Sequence, residues 1–324
     1  MTTKRFTLFA FVMAAFVFLV GCKKEKTESE ANAPQTSVCG MLHFNSTREF
    51  LETQEKVLAM NEVERRDWER QQGFKSYATK CEELFEELEA QGINSDDDIY
   101  SFVKENPDFF FIREEEGEKY LTSYLEYSSY YQFVDENKML QIGENVIKVF
   151  NEGVVIAPVD QEERLLNITS FYEPTQENFA YYENALSESQ SVFKDDNECN
   201  CTPIEVVARG TNGNNRTYVR FYRDGLYDDY GFGIITYYMK IRPYKRTLGV
   251  WYWCNRTIHY NVEYVISDIL GGTKFGRLYG NYEGSCVNRD FYTMDWYIYR
   301  ALFLQLSGHA STPDARCNVS CWVN

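Results

Sequence analysis

The sequence predicts an α+β protein: an acidic helical region with a short β-meander, followed by an antiparallel β-sandwich or jelly roll. Three observations carry that prediction. Residues 44–107 place apolar side chains at helical spacing between cap and stop residues. After Pro107 the pattern turns to short β-branched runs separated by turn residues. From Pro203 onward the chain is dense in β-branched and aromatic residues and punctuated by glycine.

The helical segments follow in order. Ser46 can cap a helix running through Phe50, Leu51, Val57 and Leu58. Asn61 with Glu64 three residues on is a capping-box pattern opening a second helix, which carries Trp68 and stops at Gly73. A third helix is expected over 75–90, where Tyr77, Cys81, Leu84, Phe85 and Leu88 share a face. Gly92 ends it, and Ser95 can cap a short helix ending before Pro107. The acids Asp96, Asp97 and Asp98 read as first-turn residues opposing the positive end of that helix, in preference to a calcium site.

The β segments come next. Phe109 to Ile112 is a short apolar run, and Glu114-Glu115-Glu116-Gly117 reads as a solvated loop. Met139 to Ile142, Val146 to Phe150 and Val154 to Ala157 form a meander, with Gly143-Glu144-Asn145 and Asn151-Glu152-Gly153 as turns. Residues 160–202 carry no clear period; Glu177 to Leu186 is compatible with a helix, and Asp195-Asp196-Asn197 reads as a linker. Strands are expected at Ile204–Val207, Tyr218–Tyr222, Gly233–Ile241, Val250–Trp253, Ile258–Ile266 and Trp296–Leu306. Two folded domains result, 39–202 and 203–324.

The first 38 residues have a different logic. Lys4 and Arg5 precede an apolar run, Phe6 to Val20, too short to span a bilayer, and this is the pattern of a secretory signal peptide over 1–21. Residues 22–38 are polar and charged, as in a flexible tether. Leu19-Val20-Gly21-Cys22 resembles the lipobox of bacterial lipoproteins. The resemblance implies a diacylglyceryl group on the Cys22 thiol, cleavage just before Cys22 and acylation of the new amine, so the membrane partner is reached through lipid. Lys23 stands where the inner-membrane retention signal of enteric lipoproteins is Asp, which favours the outer membrane or cell surface. Trp68 followed by Gly73-Phe74-Lys75-Ser76, with Ile142-Gly143 and Lys148-Val149, is similar to uncharacterised surface lipoproteins of Bacteroidota. That resemblance implies no activity.

Charge is unevenly spread. The chain is −16 overall, and the part from Cys22 onward is −18. Residues 203–324 are near +4, leaving about −22 for 22–202. So acidic a first half argues against nucleic acid as a partner. Nine cysteines are present. Beyond Cys22, the even set Cys39, Cys81, Cys199, Cys201, Cys254, Cys286, Cys317 and Cys321 points to disulfides in an exported protein, with 105 connectivities open. The last four are expected to pair among themselves. Cys199-Asn-Cys201 and Cys317-x-x-x-Cys321 are poor zinc motifs in an oxidising compartment, so no metal is expected.

Chemistry is hard to find. There is no G-x-S-x-G elbow, P-loop, G-x-G-x-x-G or H-E-x-x-H, and no cofactor motif. His43, His259 and His309 are the only histidines, and Ser307-Gly308-His309 lacks a third member of a triad. The better lead is the strand at 250–254. Trp251 and Trp253 share one of its faces, with Arg242, Lys245 and Arg246 in the preceding turn and Arg256 after it. Exposed rings beside Arg242 and Arg246 would make a recognition surface; the alternative is that they fill the space between two layers. The expected function is non-catalytic binding of a glycan or protein at the cell surface. The alternatives are a hydrolase and a structural component of a surface assembly.

Overall fold

The structure is a computed structural model that describes residues 35–36, 40–115, 117–126, 128, 130–172, 178–183, 199–201, 205–227, 233–267, 273–284, 286–295 and 303–323. The signal peptide, Cys22, Cys39 and all of the tether except Gln35 and Thr36 lie outside them. Gln35–Thr36 is a two-residue strand, β1, paired with β2, Leu42–Phe44.

Four helices follow, and local chemistry sets their ends. In α1, Thr47–Ala59, the Glu49 amide donates to Ser46 Oγ over 3.2 Å. The second, α2, Glu62–Gln72, has the reciprocal box between Asn61 and Glu64 and ends on Gly73, whose φ of 63° is left-handed. Ser76 caps α3, Tyr77–Gln91, by accepting from the Thr79 amide. Asp98 accepts from the Asn94 and Ser95 amides at the start of α4, Asp96–Glu105. A buried charge pair fixes α2 against α3: Arg65 donates to Glu69 over 3.1 Å and to Thr79 Oγ1 over 2.6 Å, and also pairs with Glu82.

A hairpin comes next, β3 over Phe110–Glu115 and β4 over Glu118–Ser123. Glu114 and Glu115 of the acidic segment are therefore strand residues, and Gly117 lies in a turn. The meander is β5 Met139–Ile142, β6 Asn145–Val149 and β7 Gly153–Pro158. After a short helix, α5, Glu162–Leu166, comes β8, Ala180–Glu183. Within the stretch 177–186, where a helix is compatible, Ala180–Glu183 is a strand, because pairing with β7 overrides local preference there, and 177 and 184–186 lie outside the described residues. The first sheet runs β1-β2-β5-β6-β7-β8.

The remaining strands are β9 Cys199–Cys201, β10 Glu205–Asn212, β11 Asn215–Tyr227, β12 Gly233–Arg246, β13 Val250–Trp253, β14 Arg256–Ser267, β15 Thr273–Gly284, β16 Val287–Asp295, β17 Phe303–Ser311 and β18 Arg316–Val323. They form two sheets. The larger runs β3-β4-β13-β12-β11-β10-β9, with β16 also paired to β12. The smaller runs β15-β14-β17-β18 and is wholly antiparallel.

Residues on either side of position 203 share the larger sheet. The parallel pair β4–β13 sets Lys119 opposite Val250 and Tyr120 opposite Trp251. They also share the main core, in which Phe50, Phe85 and Phe110 join Tyr244, Trp251 and Trp253. The other face of the larger sheet packs on the smaller one, with Val219, Phe221 and Met239 meeting Ile258, Val262 and Leu306. The larger sheet is thus apolar on one face and mixed aromatic and cationic on the other.

Candidate functional site

Trp251 and Trp253 lie inside the main core, each 1% exposed, so they offer no stacking surface to a ligand. This corrects the expectation of an exposed aromatic ledge. The physical reason is a second layer on that side, since α3 sets Phe85 over Trp253 and the main core closes around both rings. Trp253 packs against Phe85 at 5.4 Å and Phe110 at 5.8 Å between ring centroids. The expected association with arginine is real but internal. The Arg242 guanidinium lies 3.8 Å from the Trp253 ring centre, and those of Arg216 and Arg246 lie 4.0 and 5.3 Å from Trp251.

Alternation along the strands builds this ladder. Arg216 on β11 and Tyr244 on β12 stand opposite each other, as do Arg246 and Trp251 across β12 and β13, so cations and rings interleave. Carboxylates from the first half of the chain answer the cations. Arg216 donates to Glu118 over 2.5 Å, and Arg209 and Arg246 approach the same carboxylate at 3.7 and 3.9 Å. Arg242 donates to Glu126 over 2.7 Å, with both side chains almost fully buried. Lys240 donates to the Glu126 carbonyl, and burial, with Arg242 nearby, holds its pKa down at about 8. Glu118 and Glu126 of the acidic first half are therefore paired internally with cations of the second. Arg242 and Arg246 are positioned by the fold and hold it together.

Glu118 gives this pairing a pH signature. Burial acts to raise its pKa, but Arg216, together with the hydroxyl of Tyr120 and the indole of Trp251, outweighs burial and holds the carboxyl at about 2. A carboxylate depressed below its unfolded value, about 4.3, stabilises the fold above that value and loses the contribution as pH falls towards 2. Wild-type stability should therefore fall between about pH 4.3 and pH 2 more steeply than that of Glu118→Gln. Urea unfolding at a series of pH values measures this. Equal slopes would contradict the assignment.

Exposed aromatic rings occur instead on the outer face of the smaller sheet. Phe275 and Tyr279 on β15 are 73% and 72% exposed. The strand alternates strictly: Phe275, Arg277, Tyr279 and Asn281 face out, and Gly276, Leu278, Gly280 and Tyr282 face in. The inward glycines make room for rings from β14. A Cβ on Gly276 would sit 2.2 Å from the Tyr264 ring, and one on Gly280 would sit 2.8 Å from the Tyr260 hydroxyl. The register then sets Arg277 in a row with Glu263, Ser307 and Ser320, and Tyr279 in a row with Asn261, His309 and Asn318. Arg277 Nε donates to Asn261 Oδ1 over 2.5 Å, and its guanidinium lies 5.8 Å from the Tyr279 ring centre. His259 Nδ1 is hydrogen-bonded to Asn281 Oδ1 at 2.6 Å. Burial and nearby Arg316 lower the pKa of His309. Ser307 and His309 share this face, and no hydrogen bond joins them among the described residues.

Two other features carry less. A groove of about 450 Å³ between α3 and α4 is lined by Glu87, Gln91, Asn94, Ser101 and Glu105, with Asp98 occupied in capping its own helix. The cysteines also depart from expectation. No disulfide joins any two of Cys81, Cys254, Cys286 and Cys317. Cys81 is enclosed by the α3 core and Cys254 directly follows β13, so the fold separates thiols that the sequence counts together. Burial pushes Cys254 up to about 11 and raises Cys81 further, leaving both as inert thiols. Cys22 and Cys39 lie outside the described residues. Cys199, Cys201 and Cys321 stand in strands whose side chains are not described.

No family model matches the chain, and neither does any curated protein. Among solved structures, the crystal structure of a DUF4848 family protein from Bacteroides thetaiotaomicron is similar at 16% identity, covering 90% of this chain and 99% of that one, with a TM-score of 0.32.

Proposed function

We propose that the chain is an exported, lipid-anchored protein of the outer membrane or cell surface that binds a glycan or a surface protein without catalysing a reaction. In this reading the two sheets of the second half act as a β-sandwich, and the outer face of β15-β14-β17-β18 is the binding surface. The observation that carries it is the pair of exposed rings, Phe275 and Tyr279, standing among hydrogen-bonding side chains on the outer face of the sheet. Rings held at 73% and 72% exposure on a regular strand gain little for the fold and are available to a partner. The anchor rests on Leu19-Val20-Gly21-Cys22.

Two measurements test the reading. Mature protein applied to glycan and host-protein arrays should bind a restricted set of ligands, and the double substitution Phe275→Ala/Tyr279→Ala should abolish that binding with little change in melting temperature. Binding that survives the double substitution would move the site elsewhere. For the anchor, metabolic labelling with a fatty acid should disappear in Cys22→Ala, and unchanged labelling would refute lipidation at this cysteine.

A further inference from the structure

Resting on that reading of the outer sheet face, we infer that the ligand is a linear, neutral oligosaccharide running along β15, with separate sugar units stacked on Phe275 and Tyr279. The two rings stand four residues apart on one strand, roughly 13 Å along its axis. A monosaccharide cannot touch both, and a chain of several units can. The surroundings favour a sugar over a protein. A protein hot spot needs a contiguous apolar centre within a polar rim. Here Arg277 separates the rings, and Val265 is the one aliphatic side chain in the outward rows of β14. Apart from Val265 opposite Phe275, the outward rows around the rings hold polar groups, among them Asn261, Asn281, Gln305, Ser307, Asn318 and Ser320. Such groups match a ligand made of hydroxyls with small patches of C–H. Charge points to a neutral ligand, because Arg277 is engaged by Asn261 at 2.5 Å and Glu263 at 4.0 Å.

Calorimetric titration of the full mature protein in detergent tests this, using malto-, cello-, xylo- and manno-oligosaccharides of two to six units. One series should bind, with affinity rising with length until both rings are spanned and then levelling. Phe275→Ala and Tyr279→Ala should each weaken binding of the hexamer by about tenfold, a loss of ~1.4 kcal/mol, while melting temperature stays within a degree or two. Affinity that does not change between two and six units would overturn the extended mode yet leave the face as the site, provided both variants still weaken binding. Binding indifferent to both variants would overturn the face itself. If no series binds, the oligosaccharide assignment fails.

Discussion

Glu126→Gln should cost the protein about 3–5 kcal/mol, the loss expected when one partner of a buried ion pair is removed. Arg242 is 4% exposed and donates to Glu126, which is 1% exposed. Burial leaves bulk solvent little access to the guanidinium once the carboxylate is neutral. Lys240 compounds the effect, since its ammonium lies against the Glu126 carbonyl and already titrates low because of burial and nearby Arg242. The denaturation midpoint should drop with an unchanged slope. The exposed pair Arg48–Glu52, at 2.8 Å, supplies the contrast. Arg48→Ala should change stability by well under 1 kcal/mol. A similar small loss for Glu126→Gln would mean that the ladder between the halves does not hold the fold.

Trp253→Ala should be comparably severe, about 3–5 kcal/mol. The ring fills the space between Phe85 on α3, Phe110 on β3 and the face of Arg242. Removing it leaves a cavity and strips a buried cation of its aromatic neighbour. If the ring were a ligand platform, the same substitution would leave the melting temperature almost unchanged. Thermal melting of the purified variant separates the two.

Much of the fold is legible in the sequence because its causes are local. Ser46, the Asn61–Glu64 box, Gly73 and Gly92 mark helix ends through contacts within four residues. The meander is legible because its turns are made by adjacent residues. What escapes is set by distant partners. The parallel pair β4–β13 joins residues about 130 positions apart, and the face that carries Trp253 is covered by Phe85 of α3, a residue far from it in sequence. Arg242 and Arg246 likewise look like surface charge until Glu126 and Glu118 are brought to them. The strand β15 is missed for another reason. Gly280, with the nearby pair Gly271-Gly272, reads as turn punctuation, whereas Gly276 and Gly280 are the spaces into which Tyr264 and Tyr260 pack. The alternation Phe275, Arg277, Tyr279, Asn281 was the available signal for an exposed aromatic strand. The cysteine arithmetic fails because an even count says nothing about where the fold places each thiol.

Oxidative footprinting of the native protein with hydroxyl radicals, read residue by residue by mass spectrometry, tests the central claim most directly. Phe275 and Tyr279 should oxidise rapidly, while Trp251 and Trp253, intrinsically more reactive, should stay protected until the protein is unfolded in denaturant. Rapid oxidation of Trp251 or Trp253 in the native state, or protection of Phe275 and Tyr279 in the absence of ligand, would contradict the assignment of a buried structural ladder and an exposed binding face.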